Sequence, residues 1–197
     1  MSVRAVIIEA GGANFGSLLA ACARVGVDAQ LSDCAATIRN ATHVILPGVG
    51  AAAQAMSALR SKGLDRVIGR LVQPLLGICL GMQLLFERSH EGDVDGLGLL
   101  PGEVRRLPAA PRWPHMGWNT IEATRPHALL DGIGDEAWFY FVHGYAAPAG
   151  DDAIATSDHG GRFAAAVARG NVFGMQFHPE KSAAAGRRAL ANFFALA

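Results

Sequence analysis

The first half of the chain alternates short runs that are apolar at nearly every position with segments whose apolar residues recur at helical spacing. Val3-Arg4-Ala5-Val6-Ile7-Ile8, Val27 to Leu31, His43 to Leu46 and Leu75 to Ile78 are runs of the first kind. Uniform apolarity marks strands covered on both faces, as in a parallel sheet. Between them, Phe15, Leu18, Leu19, Cys22 and Val25 form one helical stripe, the Ala-rich run around Met56 and Leu59 reads as a helix, and Leu64 to Val72 reads as another. Leu75 to Ile78 passes at once into Cys79-Leu80-Gly81 and a predicted helix over Met82 to Phe86. Repeated β-α units of this kind build an open, mostly parallel α/β sheet with flanking helices.

From Gly96 onward the pattern changes to short strand-like runs broken by Gly and Pro: Thr120 to Glu122, Trp138 to Val142, Ala153 to Thr156, Phe163 to Val167 and Asn171 to Phe177. They read as antiparallel additions to the same sheet. Gly186 to Ala197 reads as a closing helix through Leu190, Phe193, Phe194 and Ala197. With 197 residues, no linker and no repeat, residues 1–197 are expected to form one domain.

Composition narrows the functional classes. A chain 51% hydrophobic and 17% charged can offset the entropy of ordering, which excludes a disordered chain. Equal numbers of basic and acidic residues, 17 each, create no overall field for nucleic acid or an anionic membrane. The apolar stretch Val44 to Met56 is broken by Pro47, Gly48 and Gly50, so it is no membrane span. Met1-Ser2-Val3-Arg4 leads straight into a strand-like run with no apolar signal core, and a cytoplasmic location is expected. The 3 cysteines, Cys22, Cys34 and Cys79, form neither a CxxC pair nor a zinc-type cluster with histidines, so neither a disulfide framework nor a metal site is expected.

The chemistry concentrates in a few places. Gly77-Ile78-Cys79-Leu80-Gly81 places a thiol between glycines at a strand-to-helix junction, where a sharp turn exposes the central side chain. The following helix N-terminus favours thiolate and a developing oxyanion. A buried structural cysteine is the competing reading, and it is the one that fits Cys22 on its helix stripe. A thiol needs a base and the base an orienting acceptor, and His178-Pro179-Glu180 supplies both. In an extended segment His178 and Glu180 project to one side, at the end of a strand where catalytic loops of α/β sheets lie. Incidental turn chemistry is the alternative. Pro47-Gly48-Val49-Gly50, at another strand end, reads either as a plain tight turn or as glycines that let backbone N–H groups face an oxyanion. His90, His115, His127 and His159 lie among loop residues, His43 opens a strand, and His143 has both a cleft-facing and a structural reading.

Together these residues resemble the class I, triad-type glutamine amidotransferases, with a nucleophile early, a base late, and Gln83 and Gln176 inside the same motifs. Leu97-Gly98-Leu99-Leu100-Pro101-Gly102, Pro114-His115-Met116-Gly117-Trp118-Asn119, Tyr140-Phe141-Val142-His143 and Lys181-Ser182 are similar to one branch of that family. Members of the branch feed ammonia to a (β/α)8-barrel cyclase subunit in histidine biosynthesis, as a heterodimer and without cofactor or metal.

The resemblance implies that Cys79 attacks the glutamine carboxamide, that His178 moves the proton and that Glu180 orients the imidazole. It implies Gln83 and Glu91 as glutamine-binding residues and an oxyanion hole at Gly48, Val49 and Leu80. Asn14, Trp118, Tyr140 and Lys181 match positions at the docking face or ammonia gate. Glu9, Ala13 and Gly144 depart from the family's usual Asp, Gly and small hydroxyl residue.

Overall fold

The computed structural model describes residues 3–9, 11–109 and 112–196. The β-α units appear in the expected order: β1 (Ala5–Ile8), α1 (Phe15–Arg24), β2 (Ala29–Ser32), α2 (Ala35–Asn40), β3 (His43–Gly48), α3 (Ala52–Ser61), α4 (Leu64–Ile68), β4 (Leu75–Cys79) and α5 (Leu80–Gln83). Then follow β5 (Phe86–Ser89), β6 (Val94–Asp95), β7 (Leu100–Arg106), β8 (His115–Thr120), β9 (Glu122–Ala123), β10 (Trp138–His143) and β11 (Tyr145–Ala146). The chain closes with β12 (Ala153–Asp158), β13 (Arg162–Arg169), β14 (Val172–Met175) and α6 (Ala183–Phe194).

The central sheet runs β2-β1-β3-β4-β14-β13-β12-β9. Its first five strands are parallel and the last three antiparallel additions. Strand residues alternate between two buried clusters. Ile7, Ile45, Leu76 and Ile78 face Leu18 and Cys22 of α1 and Leu190 and Phe193 of α6. Val6, Ile8, Val44, Leu46 and Leu75 face Met56, Leu59, Leu64 and Ile68 of α3 and α4. Having an apolar partner on each side, β1, β4 and β14 are buried at every residue.

Several elements differ from the sequence expectation. β14 joins the parallel part of the sheet beside β4, while β10 pairs with β8 as a separate two-stranded sheet. That hairpin packs on the core through Phe139 and Phe141, whose rings lie 4.2 and 5.9 Å from that of Phe177. The helix expected over Met82 to Phe86 ends at Gln83, because Leu84, Leu85 and Phe86 give their carbonyls to the amides of Leu97, Leu99 and Gly98. α4 stops at Ile68 and leaves Val72 exposed. The closing helix starts earlier, at Ala183, and Ala197 lies outside the described residues. His115, read as a loop residue, is the buried first residue of β8.

Candidate active site

Parallel neighbours β3, β4 and β14 deliver their carboxyl ends to one edge of the sheet, where open α/β folds bind ligands. Gly48 stands in register with Cys79. Met175 stands in register with Ile78, so the segment after β14 emerges beside Cys79. Sheet order thus brings residue 178 to residue 79.

Cys79 sits at φ 53° and ψ −113°, a left-handed bend that side chains seldom adopt, with α5 beginning at Leu80. The bend depends on its glycines. A Cβ at Gly77 would approach Met82 N and Gly81 O to 2.7 Å, and one at Gly81 would overlap the Leu46 carbonyl oxygen. The sulfur lies 3.7 Å from the Val142 carbonyl oxygen and 3.8 Å from Gln176 Nε2.

His178 and Glu180 meet through a turn and not through an extended segment: Pro179–Lys181 is a 3₁₀ turn closed by Lys181 N–H to His178 O at 3.0 Å. Proline opens this turn, at a position where a missing N–H costs nothing. His178 Nδ1 lies 2.8 Å from Glu180 Oε1, with side chains 6% and 5% exposed. Because a carboxylate only accepts, Nδ1 carries the hydrogen. Among the described residues, His178 Nε2 has no hydrogen-bond partner. Burial works against the imidazolium, but the adjacent Cys79 and Glu180 outweigh it and raise the His178 pKa to about 10.

Cys79 and His178 line a cavity of about 270 Å³, shared with Val49, Gly50, Leu80, Gln83, Glu91, Val142, His143, Gly144 and Tyr145. Buried Gln83 donates to Tyr145 O at 2.7 Å and to Gln176 Oε1 at 2.9 Å. Glu91 accepts the Ala52 N–H at 3.1 Å, at the start of α3. The cavity thus combines a thiol, an oriented imidazole, an amide and a carboxylate, the set needed to hold an amino acid and cleave its side-chain amide.

The family described as Glutamine amidotransferase class-I matches residues 6–197. The chain belongs to that family. It is 57% identical to the Imidazole glycerol phosphate synthase subunit HisH of Xanthomonas axonopodis pv. citri (strain 306) over 189 residues, 95% of this chain and 94% of that protein. The protein of the same name from Xylella fastidiosa (strain Temecula1 / ATCC 700964) is 53% identical over the same shares. Among solved structures, a putative GMP synthase component from Thermoplasma acidophilum superposes with a TM-score of 0.78 at 19% identity, covering 98% of this chain and 93% of that one, which shows a common fold.

Elsewhere in this amidotransferase the expected site residues take distinct positions. Leu80 opens α5 beside the sulfur, and a Cβ on Gly48 would come within 3.0 Å of Gly81 N. The Val49 N–H is committed to the Gly12 carbonyl at 3.2 Å and is not available to the cavity. Trp118 and Tyr140 are a cross-strand pair with rings 5.9 Å apart, and the Lys181 ammonium lies 5.6 Å from the Tyr140 ring centroid. Asn14 instead caps α1 by accepting from Ser17 N at 3.3 Å. Beside this group, an open groove of about 720 Å³ runs between Trp118, Trp138 and α6 and contains no thiol, histidine or carboxylate.

Three residues carry more of the site than the sequence reading assigned them. Gln176 approaches the Cys79 sulfur and His143 lines its cavity. Trp113 donates from Nε1 to Gly144 O at 3.0 Å, and its ring occupies the space a Cβ at 144 would need, 2.6 Å from Cζ2. The glycine at 144 is therefore matched to the indole.

Proposed function

We propose that this chain is the glutaminase subunit of an imidazole glycerol phosphate synthase. It hydrolyses glutamine to glutamate and passes the ammonia to a (β/α)8-barrel cyclase subunit, with which it forms a heterodimer. The branch-specific segments from Leu97 to Lys181 and the identity to HisH subunits along nearly their full length support that assignment. Residues 1–197 act as one domain. No helix among the described residues is long and apolar enough to cross a membrane. The biosynthetic role supports a cytoplasmic location.

The observation that carries the chemistry is a thiol on a strained elbow sharing a cavity with an imidazole that Glu180 orients. In this mechanism Gln83 and Glu91 hold the glutamine, and the proton given up by the Cys79 thiol is held on His178 Nε2, the thiolate–imidazolium pair being the state that the raised His178 pKa favours. The Cys79 sulfur attacks the carboxamide carbon to give a tetrahedral oxyanion. His178 then gives its proton to the departing nitrogen, releasing ammonia and leaving a thioester. Water, deprotonated by His178, attacks the thioester, and glutamate leaves as the thiol is restored. Leu80 N–H at the start of α5 and a reoriented Val49 N–H supply the oxyanion hole. Trp118, Tyr140 and Lys181 form the face that meets the cyclase.

Cys79→Ala removes the one nucleophile at this site and is expected to abolish ammonia release by the complex. Release that persists in the variant would sink the reading. A glutamine-analogue electrophile should label Cys79 in the assembled complex, and an unlabelled Cys79 would mark the chain as a silent docking module.

A further inference from the structure

The hydrogen bonds behind Cys79 can be given a direction from end to end, and that direction terminates on the sulfur. A backbone carbonyl only accepts, so the Gln83 atom 2.7 Å from Tyr145 O is the amide nitrogen. The same nitrogen lies 2.9 Å from the Gln176 side chain, so the Gln176 atom facing it is the oxygen. Gln176 Nε2 must then point the other way, where Cys79 Sγ stands 3.8 Å off.

A second set of donors holds the Tyr145 carbonyl in place. His143 Nδ1, 2.8 Å from Tyr145 O, must carry a hydrogen. In neutral His143 the bare Nε2 accepts from His115 Nδ1 at 3.0 Å, and His115 Nε2 in turn faces Asn119 Nδ2 at 3.4 Å. Burial favours this neutral arrangement of both rings. Gln176 is itself 0% exposed. Rotating its amide would set nitrogen against nitrogen at Gln83 and lose that contact, which fixes Nε2 on the side of the sulfur.

We propose that Gln176 is a catalytic residue whose Nε2–H donates to the Cys79 sulfur and favours the thiolate that attacks the substrate amide. The opposing group is the Val142 carbonyl, 3.7 Å from Sγ, which can only accept a thiol proton. The sulfur thus rests between an atom that holds its proton and one that supports its charge. The ionisable groups around it are His178 and Glu180 beyond β14, His143 on β10, and Glu91 across the cavity. Gln176 is uncharged over the whole pH range, so removing it shifts the sulfur's titration without adding or deleting one.

The inference rests on the glutaminase reading, so its test uses a reaction that needs no glutamine. The rate at which iodoacetamide alkylates Cys79 in the full chain is followed against pH for wild type, Gln176→Met and Gln176→Leu. Mass spectrometry of the Cys79 peptide separates it from Cys22 and Cys34. Both substitutions fill the space without a donor. The midpoint of each profile is expected to move up by about one pH unit, and kcat for glutamine in the complex to fall about tenfold with KM little changed. A purely structural role would lower Tm and leave the midpoint in place, and midpoints matching wild type in whichever variant folds overturn the proposal. If wild-type Cys79 is alkylated yet the complex releases no ammonia, the glutaminase reading fails while the midpoints still judge Gln176.

Discussion

The Glu180 carboxylate holds the imidazole of His178 at 2.8 Å, with both side chains almost wholly buried. Their pairing has a stability consequence with a definite sign. With the folded His178 pKa at about 10, against 6.5 for a free imidazole, the protonated ring stabilises the fold. That contribution is complete below pH 6.5 and is lost as pH rises towards 10. Glu180→Gln removes one of the two groups that raise the value. The urea midpoint of the variant should therefore change less than that of wild type between pH 6.5 and 10. Its kcat should fall about 10²-fold, because a misheld base loses much of general-base catalysis.

The bond from Val49 N–H to Gly12 O turns the proposed oxyanion donor away from the cavity. One such donor is worth about 10²–10³ in kcat. The isolated chain is expected to be a slow glutaminase, and binding of the cyclase with its ligand to accelerate it by at least about tenfold as the peptide reorients. Gly48→Ala places a methyl group 3.0 Å from Gly81 N and Leu80 Cβ, where it obstructs that rotation. The variant should bind the partner normally and show little acceleration. Stopped assays of ammonia release with and without partner decide this, and full activity in the isolated wild-type chain would contradict it.

Local patterns announce the elbow and the parallel strands, because both are written in neighbouring residues. Gly77 and Gly81 flank Cys79, and β1, β3 and β4 are apolar at almost every position. The small sheet β11-β7-β5-β6 is not legible, since Glu87, Arg88 and Asp95 interrupt its short strands with charge. The turn at Pro179 reads as extended for a related reason: its closing bonds, including Ser182 Oγ to His178 O at 2.6 Å, involve residues after the motif. Nor can any spacing show that Gln176, Gln83, Tyr145, His143 and His115 form one directed network, which arises only when β14, α5 and the β8–β10 hairpin pack together.

The elbow should tolerate no side chain beside it. Gly81→Ala sets a methyl group into the Leu46 carbonyl, and backbone cannot yield as a flexible side chain can. A loss of at least about 3 kcal/mol is expected, at the upper end of overpacking costs. Chemical denaturation measures it. A variant as stable as wild type would show that α5 can shift away from β3.

Gly144 and Trp113 are expected to behave as a coupled pair. Gly144→Ser pushes on the indole, disturbing its bond to Gly144 O and its position 4.4 Å below the Arg106 guanidinium. The single substitution should cost about 1–3 kcal/mol and raise KM for glutamine, since Gly144 lines the cavity. Adding Trp113→Ala makes room for the new side chain. The double variant should be more stable than the sum of the two single effects predicts, and strict additivity in the cycle would refute the coupling.

Acid should unfold the protein through the histidines behind the site. Burial, the largest cause in each, lowers His143 to about 3 and His115 to about 4; for His143 the bond to the Tyr145 carbonyl opposes the shift while His115, His159 and His178 add to it, and for His115 His159 adds to it. Below pH 6.5 the unfolded chain takes up protons that the folded rings refuse. Their contribution is thus complete above 6.5 and is lost as pH falls towards 3, on the order of several kcal/mol in all. His178 acts in the opposite sense above 6.5, so among these groups stability peaks near that pH. His115→Phe keeps an aromatic ring stacked on Phe141, which His115 meets at 4.8 Å, and removes one titration. Its urea midpoint should fall less steeply between pH 6.5 and 4 than that of wild type, and an unchanged slope would show that His115 takes up its proton without opposing the fold.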